Sequence, residues 1–249
     1  MYSAYIQRFL AQHNYINVTP RAALIDMDGT LYDSMPFHAD AWHKVISDAG
    51  IDIDRDEFFR FEGRTAASTI NIIFQRTYGR DATPEEIERI YEQKCHYFSS
   101  TANPQPMPGA KDMLDFIKSI GMTEVLVTGS GQNSLLSRLD SDFPGIFTPE
   151  MRVTSRDVKH GKPNPEPFIM AMKKAGVAPN QSIVIENAPL GVEAGNAAGA
   201  FTIGVTTGPL RRSELEDAGA AIVFDSMVEC AEQLPVLIYS LITTSNNFN

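Results

Sequence analysis

The chain has 249 residues, of which 43% are hydrophobic and 21% are charged. This composition is typical of a globular protein and excludes a disordered chain, a collagen-like repeat and a disulfide scaffold. Lysine and arginine number 21 and aspartate and glutamate 31, so the formal net charge is −10. Because phosphate backbones and anionic lipid surfaces repel such a chain, we expect neither nucleic acid nor a membrane as a partner. A small anionic substrate remains compatible with this charge where cations gather locally.

The sequence also gives expectations about the cellular compartment of the protein. Two cysteines, Cys95 and Cys230, cannot build a disulfide framework in a chain of this length, which fits a reducing environment. The first residues, MYSAYIQRFLAQHNYI, lack the apolar core and the small-residue cleavage site of a signal peptide. The apolar stretch Leu234–Ile242 is shorter than the roughly 18 residues of a membrane span. We therefore predict a cytoplasmic protein, and we expect a monomer.

Short β-branched runs alternate with helical patterns along most of the chain. This alternation predicts an α/β fold with a doubly wound, Rossmann-like parallel sheet. Runs with the pattern of buried strands are Ala22–Asp26, Glu124–Ser130, Met151–Ser155 (the weakest), Ser182–Asn187, Phe201–Gly208 and Ala221–Ser226. Helical patterns between these runs cover Ala110–Ile120, Asn133–Leu139, Pro165–Ala175, Leu190–Ala198 and Glu214–Ala218.

One long segment breaks the alternation. From Met35 to about Gln105 the apolar residues recur at helical spacing, and no convincing strand is found. Thr83 before Pro84 is an N-cap signal with proline at the first helical position. A proline-rich stretch, ANPQPMPG, leads back to the alternating pattern. We predict a helical domain over residues 35–105, inserted into a core domain over residues 1–34 and 106–249 whose first 20 residues are an N-terminal extension.

The end of the first predicted strand carries two acids. In the sequence AALIDMDGTL, Asp26 and Asp28 are two residues apart, and Gly29 permits a tight turn after them. Ligands of open α/β sheets bind outside the carboxyl ends of the strands, where these carboxylates are expected. Their hard oxygen atoms suit Mg²⁺.

The motif DMDGTL resembles the first motif of the haloacid-dehalogenase (HAD) superfamily of phosphotransferases. The other motifs of the superfamily follow in order: Thr128 in LVTGS, Lys162 in HGKPNPEPF, and Glu186 with Asn187 in VIENAPLGVEAG. The resemblance covers residues 21–226 and implies an HAD core with an inserted helical cap. A cap directly after the first motif resembles the β-phosphoglucomutase-like branch, which holds sugar-phosphate mutases, small-molecule phosphatases and inorganic pyrophosphatases.

The resemblance implies a role for each core residue. Asp26 is expected to attack phosphorus and form an aspartyl-phosphate, and Asp28 to act as general acid and then general base. Thr128 and the backbone amides of Gly129 and Ser130 are expected to bind phosphoryl oxygens. Lys162 is expected to offset the charge of the phosphoryl group and of the nucleophile, which would otherwise repel each other.

The resemblance also implies a Mg²⁺ cofactor. Its expected ligands are Asp26, Asp28 through its carbonyl, and the fourth motif, Glu186 and Asn187. The sequence departs from the branch at Asn187, because the motif is commonly Glu-Asp. An amide oxygen can still bind a metal or a metal-bound water. Because one negative charge is lost, we expect Glu186 to contribute a larger share of the metal affinity.

Substrate choice is expected to depend on the cap. His38 lies where the branch has a histidine at the hinge or near the substrate, and Lys94 matches a cap lysine that reaches the substrate. In the loop FEGRTAAS, Glu62 stands where mutases carry a basic residue, Arg64 follows it, and Ala66 replaces an arginine. An acid here would repel a second phosphate or hold a metal or water. Trp42 is most simply a core residue of the cap.

These residues favour a Mg²⁺-dependent phosphohydrolase that acts on a small phosphorylated substrate. The Glu-Gly-Arg-Thr loop together with Glu-Asn is most similar to the inorganic pyrophosphatase type of the branch, so pyrophosphate is the favoured substrate. The alternative is a β-phosphoglucomutase or another sugar-phosphate mutase or phosphatase. A binding module without activity is disfavoured by the complete set of core residues, and a dinucleotide site at Gly129 and Gly131 by the missing third glycine.

Overall fold

A computed structural model describes residues 2–131 and 133–246, without the side chains of residues 133–135, 245 and 246. The described residues form a parallel sheet of six strands in the order β3-β2-β1-β4-β5-β6. The strands are β1 (Ala22–Ile25), β2 (Thr123–Val127), β3 (Arg152–Val153), β4 (Ser182–Glu186), β5 (Phe201–Val205) and β6 (Ile222–Phe224). The predicted α/β class with a doubly wound parallel sheet is confirmed. The strand predicted most weakly, β3, is the shortest and lies at the edge.

Helices cover both faces of the sheet and one end of it. They are α1 (Ser3–His13), α2 (Met35–Asp48), α3 (Ala66–Tyr78), α4 (Pro84–Thr101), α5 (Ala110–Ser119), α6 (Asn133–Asp142), α7 (Glu166–Ala175), α8 (Pro189–Ala197), α9 (Arg212–Asp217) and α10 (Met227–Asn246). Short 3₁₀ turns occur at Arg55–Phe59, Pro149–Met151 and Pro179–Gln181. Within residues 2–131 and 133–246, no helix is both long and apolar enough to span a membrane.

Strand side chains alternate between two hydrophobic cores, as the period of a β-strand requires. In β1, Ala23 and Ile25 face a core that includes residues of α5 and α10. Ala22 and Leu24 face the opposite core, which is built with residues of α7 and α8. Because both faces of the sheet are covered, the central strands are apolar at nearly every position, which is the pattern found in the sequence.

The inserted segment has a hydrophobic cluster of its own. Buried side chains from α2, α3, α4 and the turn at Arg55–Phe59 pack against one another there. The capping signal is confirmed at the start of α4, where the Glu86 amide donates to Thr83 Oγ1 and the Thr83 amide donates to the Glu86 carboxylate. Trp42 packs partly buried against this cluster, as predicted, and also lines the cavity described below.

The N-terminal extension packs on the core domain. Ile6, Phe9 and Leu10 of α1 are buried, and the Phe9 ring meets the Phe201 ring edge to face at 5.0 Å. The Tyr2 hydroxyl donates to Gln233 on α10 at 2.7 Å. These contacts make α1 part of the main hydrophobic core.

Glu124 is a buried acid at the beginning of β2, away from the end of the strand that carries Thr128. Burial raises its pKa to about 7, and its Oε1 atom has no hydrogen-bond partner. A carboxyl group whose folded pKa is raised favours folding when protonated, so its contribution to stability is lost as the pH rises from about 4.3 to 7.

We expect Glu124→Gln to raise the melting temperature at pH 8 by about 2–4 °C, on the order of 1 kcal/mol, because the charge is removed. At pH 5 wild type and variant should melt together. Thermal unfolding at both pH values tests this, with the exposed Glu88→Gln as control. A stabilisation of equal size at pH 5 would mean that ionisation of Glu124 is not its cause.

Candidate active site

The carboxyl ends of three adjacent strands bring the core motifs together. Asp26 and Asp28 follow β1, Thr128 follows β2, and Glu186 ends β4. Since β2, β1 and β4 are neighbours in the sheet, residues more than a hundred positions apart along the chain meet at one edge. Lys162 joins them from the segment between β3 and α7.

Lys162 links the first and fourth motifs. Its ammonium donates to Asp26 Oδ1 at 2.6 Å, to Glu186 Oε1 at 2.5 Å and to the Val127 carbonyl at 3.1 Å. All three charged side chains are buried. Burial alone would lower the pKa of Lys162, but the two carboxylates outweigh it and raise the pKa, so the ammonium stays charged.

Asp26 has one oxygen held and one oxygen open. Its Oδ2 atom is buried and has no hydrogen-bond partner, whereas Oδ1 accepts from Lys162. Burial and the nearby charge of Glu186 raise the pKa of Asp26 well above its usual range, against the opposing effect of Lys162. A buried acceptor without a partner is costly in a folded protein, so this oxygen marks a place for a ligand.

Asp28 lies at the end of a hydrogen-bonded chain that reaches into the helical segment. Its Oδ1 accepts from the Ser34 hydroxyl at 2.7 Å and lies 2.9 Å from His38 Nε2. His38 Nδ1 in turn lies 2.8 Å from Lys94 Nζ. Burial raises the pKa of Asp28, but His38, Ser34 and Lys94 together outweigh it and the pKa is lowered. Burial lowers the pKa of Lys94 to about 8.

Thr128, Gly129 and Ser130 form a short loop beside the two aspartates. The Thr128 hydroxyl accepts from the Ser130 amide at 2.9 Å, which tightens the loop. It also lies 3.5 Å from Asp28 Oδ2. Gly129 is required by close approach, because a Cβ there would lie 2.8 Å from the carbonyl oxygen of Gly63. All three predicted phosphate-binding residues line the same cavity as Asp26 and Asp28.

Asn187 connects the core to Glu62 of the inserted segment. Its side-chain nitrogen donates to both carboxylate oxygens of Glu62 at 3.1 Å, and its Oδ1 accepts from the Thr30 hydroxyl at 3.2 Å. Gly29 has φ of +80°, and a Cβ there would lie 2.0 Å from Asn187 Nδ2. Burial, followed by the charges of Asp26, Glu186 and Asp28, raises the pKa of Glu62 well above its usual range.

These side chains surround a cavity of about 80 Å³ between the sheet edge and the helical segment. The helical side contributes aromatic rings: Trp42 stacks on Phe58 with ring centroids 6.2 Å apart and on Tyr91 at 6.5 Å. Arg64 lies at the cavity wall and donates to Ser68 at 3.3 Å. The predicted core and substrate residues therefore line this cavity or contact a residue that lines it. Glu186 is the exception, because it reaches the cavity only through its contact with Lys162.

The arrangement of strands and motifs matches one known family. The model of the haloacid dehalogenase-like hydrolases matches residues 20–199. The chain belongs to the haloacid dehalogenase-like hydrolase family. It is 30% identical over 179 residues to a phosphorylated carbohydrates phosphatase of Thermotoga maritima, covering 72% of this chain and 81% of that protein. It is also 30% identical over 183 residues to hexitol phosphatase A of Escherichia coli, covering 73% and 81%.

Solved structures of related proteins share the whole architecture. A Bacteroides vulgatus protein that carries the name β-phosphoglucomutase superposes with a TM-score of 0.93 at 49% identity, covering 97% of this chain and 98% of that one. A β-phosphoglucomutase of Clostridium difficile superposes with a TM-score of 0.75 at 27% identity, covering 90% and 99%. The resemblance of this hydrolase to β-phosphoglucomutase-like proteins is thereby confirmed, whereas a match to the inorganic pyrophosphatase type is not found among these relatives.

The donor set of this hydrolase fits a hard divalent cation. Asp26, Asp28, Glu62 and Glu186 bring four carboxylates to the site, against the ammonium groups of Lys162 and Lys94. The open Oδ2 of Asp26 is an acceptor of the kind that such a cation takes.

No three His, Cys, Asp or Glu side chains converge as a metal cluster within residues 2–131 and 133–246. Lys162 lies between Asp26 and Glu186, and the other expected donors are a backbone carbonyl and the Asn187 amide.

Some site residues were missed in the sequence. Ser34 occupies the N-cap position of α2, but its hydroxyl donates to Asp28 and makes no capping hydrogen bond, so its sequence position would have suggested a helix cap and not a site residue. Tyr91 and Phe58 line the cavity, and their apolar spacing is indistinguishable from that of ordinary core positions. The position of Trp42 at the cavity was missed for the same reason.

Proposed function

We propose that this chain is a Mg²⁺-dependent phosphohydrolase that forms an aspartyl-phosphate at Asp26. The observation that carries the proposal is the asymmetry of this carboxylate. Lys162 holds Oδ1 and fixes the direction of the side chain, while Oδ2 is buried and without a partner. An oriented, buried carboxylate oxygen beside a charged ammonium is a suitable nucleophile for phosphorus.

Asp28 serves as the general acid and base. Ser34 and His38 contact its Oδ1 atom and orient the carboxylate, and the Thr128 hydroxyl lies 3.5 Å from its Oδ2 atom. In the absence of substrate its pKa is lowered, which suits acceptance of a proton from water in the second step. An arriving phosphoryl dianion raises this pKa by like-charge repulsion, so that Asp28 takes up a proton from solvent as the substrate binds and donates it to the leaving group in the first step.

The phosphoryl group is held by groups that follow β2 and by Lys162. The Thr128 hydroxyl and the amides of Gly129 and Ser130 belong to the wall of the cavity that contains Asp26. Their hydrogen bonds, together with the ammonium of Lys162, stabilise the charge that develops on the phosphoryl oxygens. The same ammonium lowers the repulsion between the anionic substrate and the carboxylate that attacks it.

Mg²⁺ would be held by the Asp26 carboxylate, the Asp28 carbonyl, Asn187 Oδ1 and Glu186. When bound, it neutralises charge on the phosphoryl group and on the carboxylates. Glu62 lies against Asn187 and is a further acid within reach of this set.

Removal of Mg²⁺ is expected to abolish turnover, and its return to restore it. In thermal unfolding, Mg²⁺ at about 100 times its Kd should raise the melting temperature by roughly 5–10 °C, because about 2.7 kcal/mol of binding free energy stabilises the fold. Asn187→Leu should lose most of this increment, whereas the exposed control Asp33→Asn should keep it. Activity that survives chelation would refute the metal scheme.

The relatives favour a phosphorylated sugar or polyol as substrate. Curated relatives are named for phosphorylated carbohydrates, hexitol phosphate and fructose 1-phosphate, and the solved structures include proteins named β-phosphoglucomutase. The aromatic wall of Trp42, Phe58 and Tyr91 offers flat apolar faces of the kind that bind sugar rings. The alternative of the sequence analysis is therefore better supported than its first choice, inorganic pyrophosphate.

Inorganic pyrophosphate remains the second candidate because of Glu62 and the size of the cavity. The volume of about 80 Å³ lies far below the roughly 300–1,000 Å³ of clefts that hold larger ligands. Glu62 narrows the site from the cap side and stands where a mutase carries a basic residue. Because Ala66 also replaces an arginine of the mutase pattern, transfer of the phosphoryl group to water is favoured over transfer to a second hydroxyl.

The function is tested by measuring phosphate release with Mg²⁺ from fructose 1-phosphate, hexitol phosphates, β-glucose 1-phosphate and pyrophosphate, beside a coupled assay for glucose 6-phosphate. Fastest release from a sugar or polyol phosphate supports the first candidate, and fastest release from pyrophosphate supports the second. Glucose 6-phosphate formed faster than free phosphate would establish a mutase. No turnover of any compound would overturn the proposal.

Glu62→Ala is expected to change the ratio of kcat/KM between pyrophosphate and sugar phosphates by about tenfold or more, since it removes a charge and widens the cavity. Its melting temperature should stay within a few degrees of wild type. Glu88→Ala, an exposed change on α4, is the control and should alter neither quantity. An unchanged substrate profile would remove Glu62 from the site.

We also propose that residues 35–105 are the cap domain and that residues 1–34 with 106–249 are the core. The cap supplies Glu62, His38 and Lys94 to a site whose reacting groups belong to the core. Opening and closing of the cap would then admit substrate and exclude water during the reaction.

A further inference from the structure

A second cleft lies outside the catalytic cavity. It has a volume of about 470 Å³ and runs between the beginning of α3 and the segment 159–164 that carries Lys162. Its walls come from the cap on one side, with Arg64, Thr65 and Ser68, and from the core on the other, with Lys159 and His160. Lys162 also lines the cleft, but none of the steps proposed above places a ligand in it.

The cleft is lined with groups that bind anions, in a chain whose net charge is −10. Arg64 and Lys159 supply positive charge from opposite walls, and His160 adds a ring that can donate an N–H. Glu166, an acid on the core side, accepts from the amides of Lys159 and His160 at 2.9 and 3.0 Å, and its charge also acts on these two side chains. Glu193 also acts on Arg64, from the exposed side of α8.

Arg64 belongs to both the cleft and the catalytic cavity. Its guanidinium donates to Ser68 Oγ at 3.3 Å, but its Nε is buried and has no partner. A buried N–H donor without an acceptor costs free energy, which a ligand that brings oxygen atoms would recover. A small oxyanion matches the planar set of guanidinium donors.

A thin wall separates the two spaces. At Gly63 a Cβ would lie 2.8 Å from Lys162 Cδ, and at Gly161 a Cβ would lie 3.0 Å from Thr65 Cγ2. The cap segment 63–65 therefore packs on the core at two glycine positions, against the Lys162 side chain at Gly63 and against Thr65 at Gly161. Passage of a ligand between the catalytic cavity and the cleft would require a displacement of this segment.

We propose that this cleft binds inorganic phosphate outside the catalytic cavity and receives the phosphate that is released from it. The leaving group departs past the cap, whereas the phosphate passes Arg64 and is held between Arg64 and Lys159. The site takes small tetrahedral oxyanions. The proposal relies on the proposed function only in naming phosphate as the product.

The experiment is equilibrium dialysis of radiolabelled inorganic phosphate against the wild-type enzyme with Mg²⁺, in the absence of substrate. Wild type should bind two phosphates per chain. Lys159→Glu should lower the phosphate affinity of one of the two sites by about fivefold or more and leave the affinity of the other unchanged. The reason is that the attraction of the lysine for phosphate becomes a repulsion at close range. Lys173→Glu, an exposed change of the same charge on α7, should leave both sites unchanged.

Binding of a single phosphate by wild type would overturn the proposal, as would two sites that Lys159→Glu leaves unchanged. Equal weakening by Lys159→Glu and Lys173→Glu would overturn it too, because it would indicate a general effect of net charge. Both lysines are exposed, so loss of folding is not expected, and Lys159→Gln provides a milder variant. Because the experiment measures binding and not turnover, its result can be interpreted even if the enzyme hydrolyses none of the compounds in the substrate panel.

Discussion

Asp26→Asn is expected to lower kcat by at least about a thousandfold, because the amide cannot form the acyl-phosphate bond on which the proposed reaction depends. The change keeps the shape of the side chain, so an acceptor oxygen can still face Lys162. Stability should not fall, since the pKa of Asp26 is raised and the folded protein favours an uncharged group at this position. Steady-state phosphate release measures the first effect, and thermal unfolding measures the second.

Asp33→Asn is the matched control, because it makes the same chemical change at an exposed position in the same loop. It should retain full activity. A rapidly quenched wild-type reaction, analysed by mass spectrometry, should show a phosphoryl adduct on the peptide that contains Asp26, and the Asp26→Asn enzyme should show none. Activity above about one per cent in the Asp26→Asn enzyme would reject Asp26 as nucleophile.

The sheet and its active edge were accessible from the sequence because they rest on short-range patterns. Strands buried on both faces leave unbroken β-branched runs, and the first, second and fourth motifs stand at the ends of such runs. Asp26, Thr128 and Glu186 could therefore be assigned to one edge without knowing the order of the strands. The short edge strand β3 gave the weakest signal, since two residues carry little pattern.

Contacts between the cap and the core could not be predicted in the same way. The pairing of Glu62 with Asn187 spans 125 positions and depends on how the cap lies on the sheet edge. The link from Asp28 through His38 to Lys94 joins three elements, and no local spacing encodes it. Sequence comparison could name the positions, but only the structure gives the partner of each side chain.

The orientation of apolar residues within the cap was also hidden. Trp42 has the spacing of a core residue, and periodicity shows which face of α2 is apolar but not where that face meets a cavity. The N-terminal extension was different, because Ile6, Phe9 and Leu10 do repeat at helical spacing. That pattern was present in the sequence and would have predicted a helix packed on the core.

Lys162→Met is expected to reduce both activity and stability, because its ammonium is the common partner of Asp26 and Glu186. Removing one member of a buried ionic group leaves the others without compensation, at a cost of about 3–5 kcal/mol. At pH 7.5 and without metal, the melting temperature should fall by roughly 6–12 °C or more. Phosphate release should fall by at least about a hundredfold, since the phosphoryl charge loses its counterion.

The pH dependence of this defect has a definite sign. The pKa of the buried Asp26 carboxyl is raised even with the lysine present, and losing the ammonium raises it further above its unfolded value. The stability of the variant is therefore lost as the pH rises from the unfolded-state pKa of Asp26 to its folded-state pKa, and is regained as the pH falls. The variant should therefore approach wild type near pH 5 and differ most near pH 8, whereas Lys173→Met, an exposed control on α7, should match wild type at both. A defect of equal size at pH 5 and pH 8 would show that lost packing of the lysine stem, and not uncompensated charge, causes it.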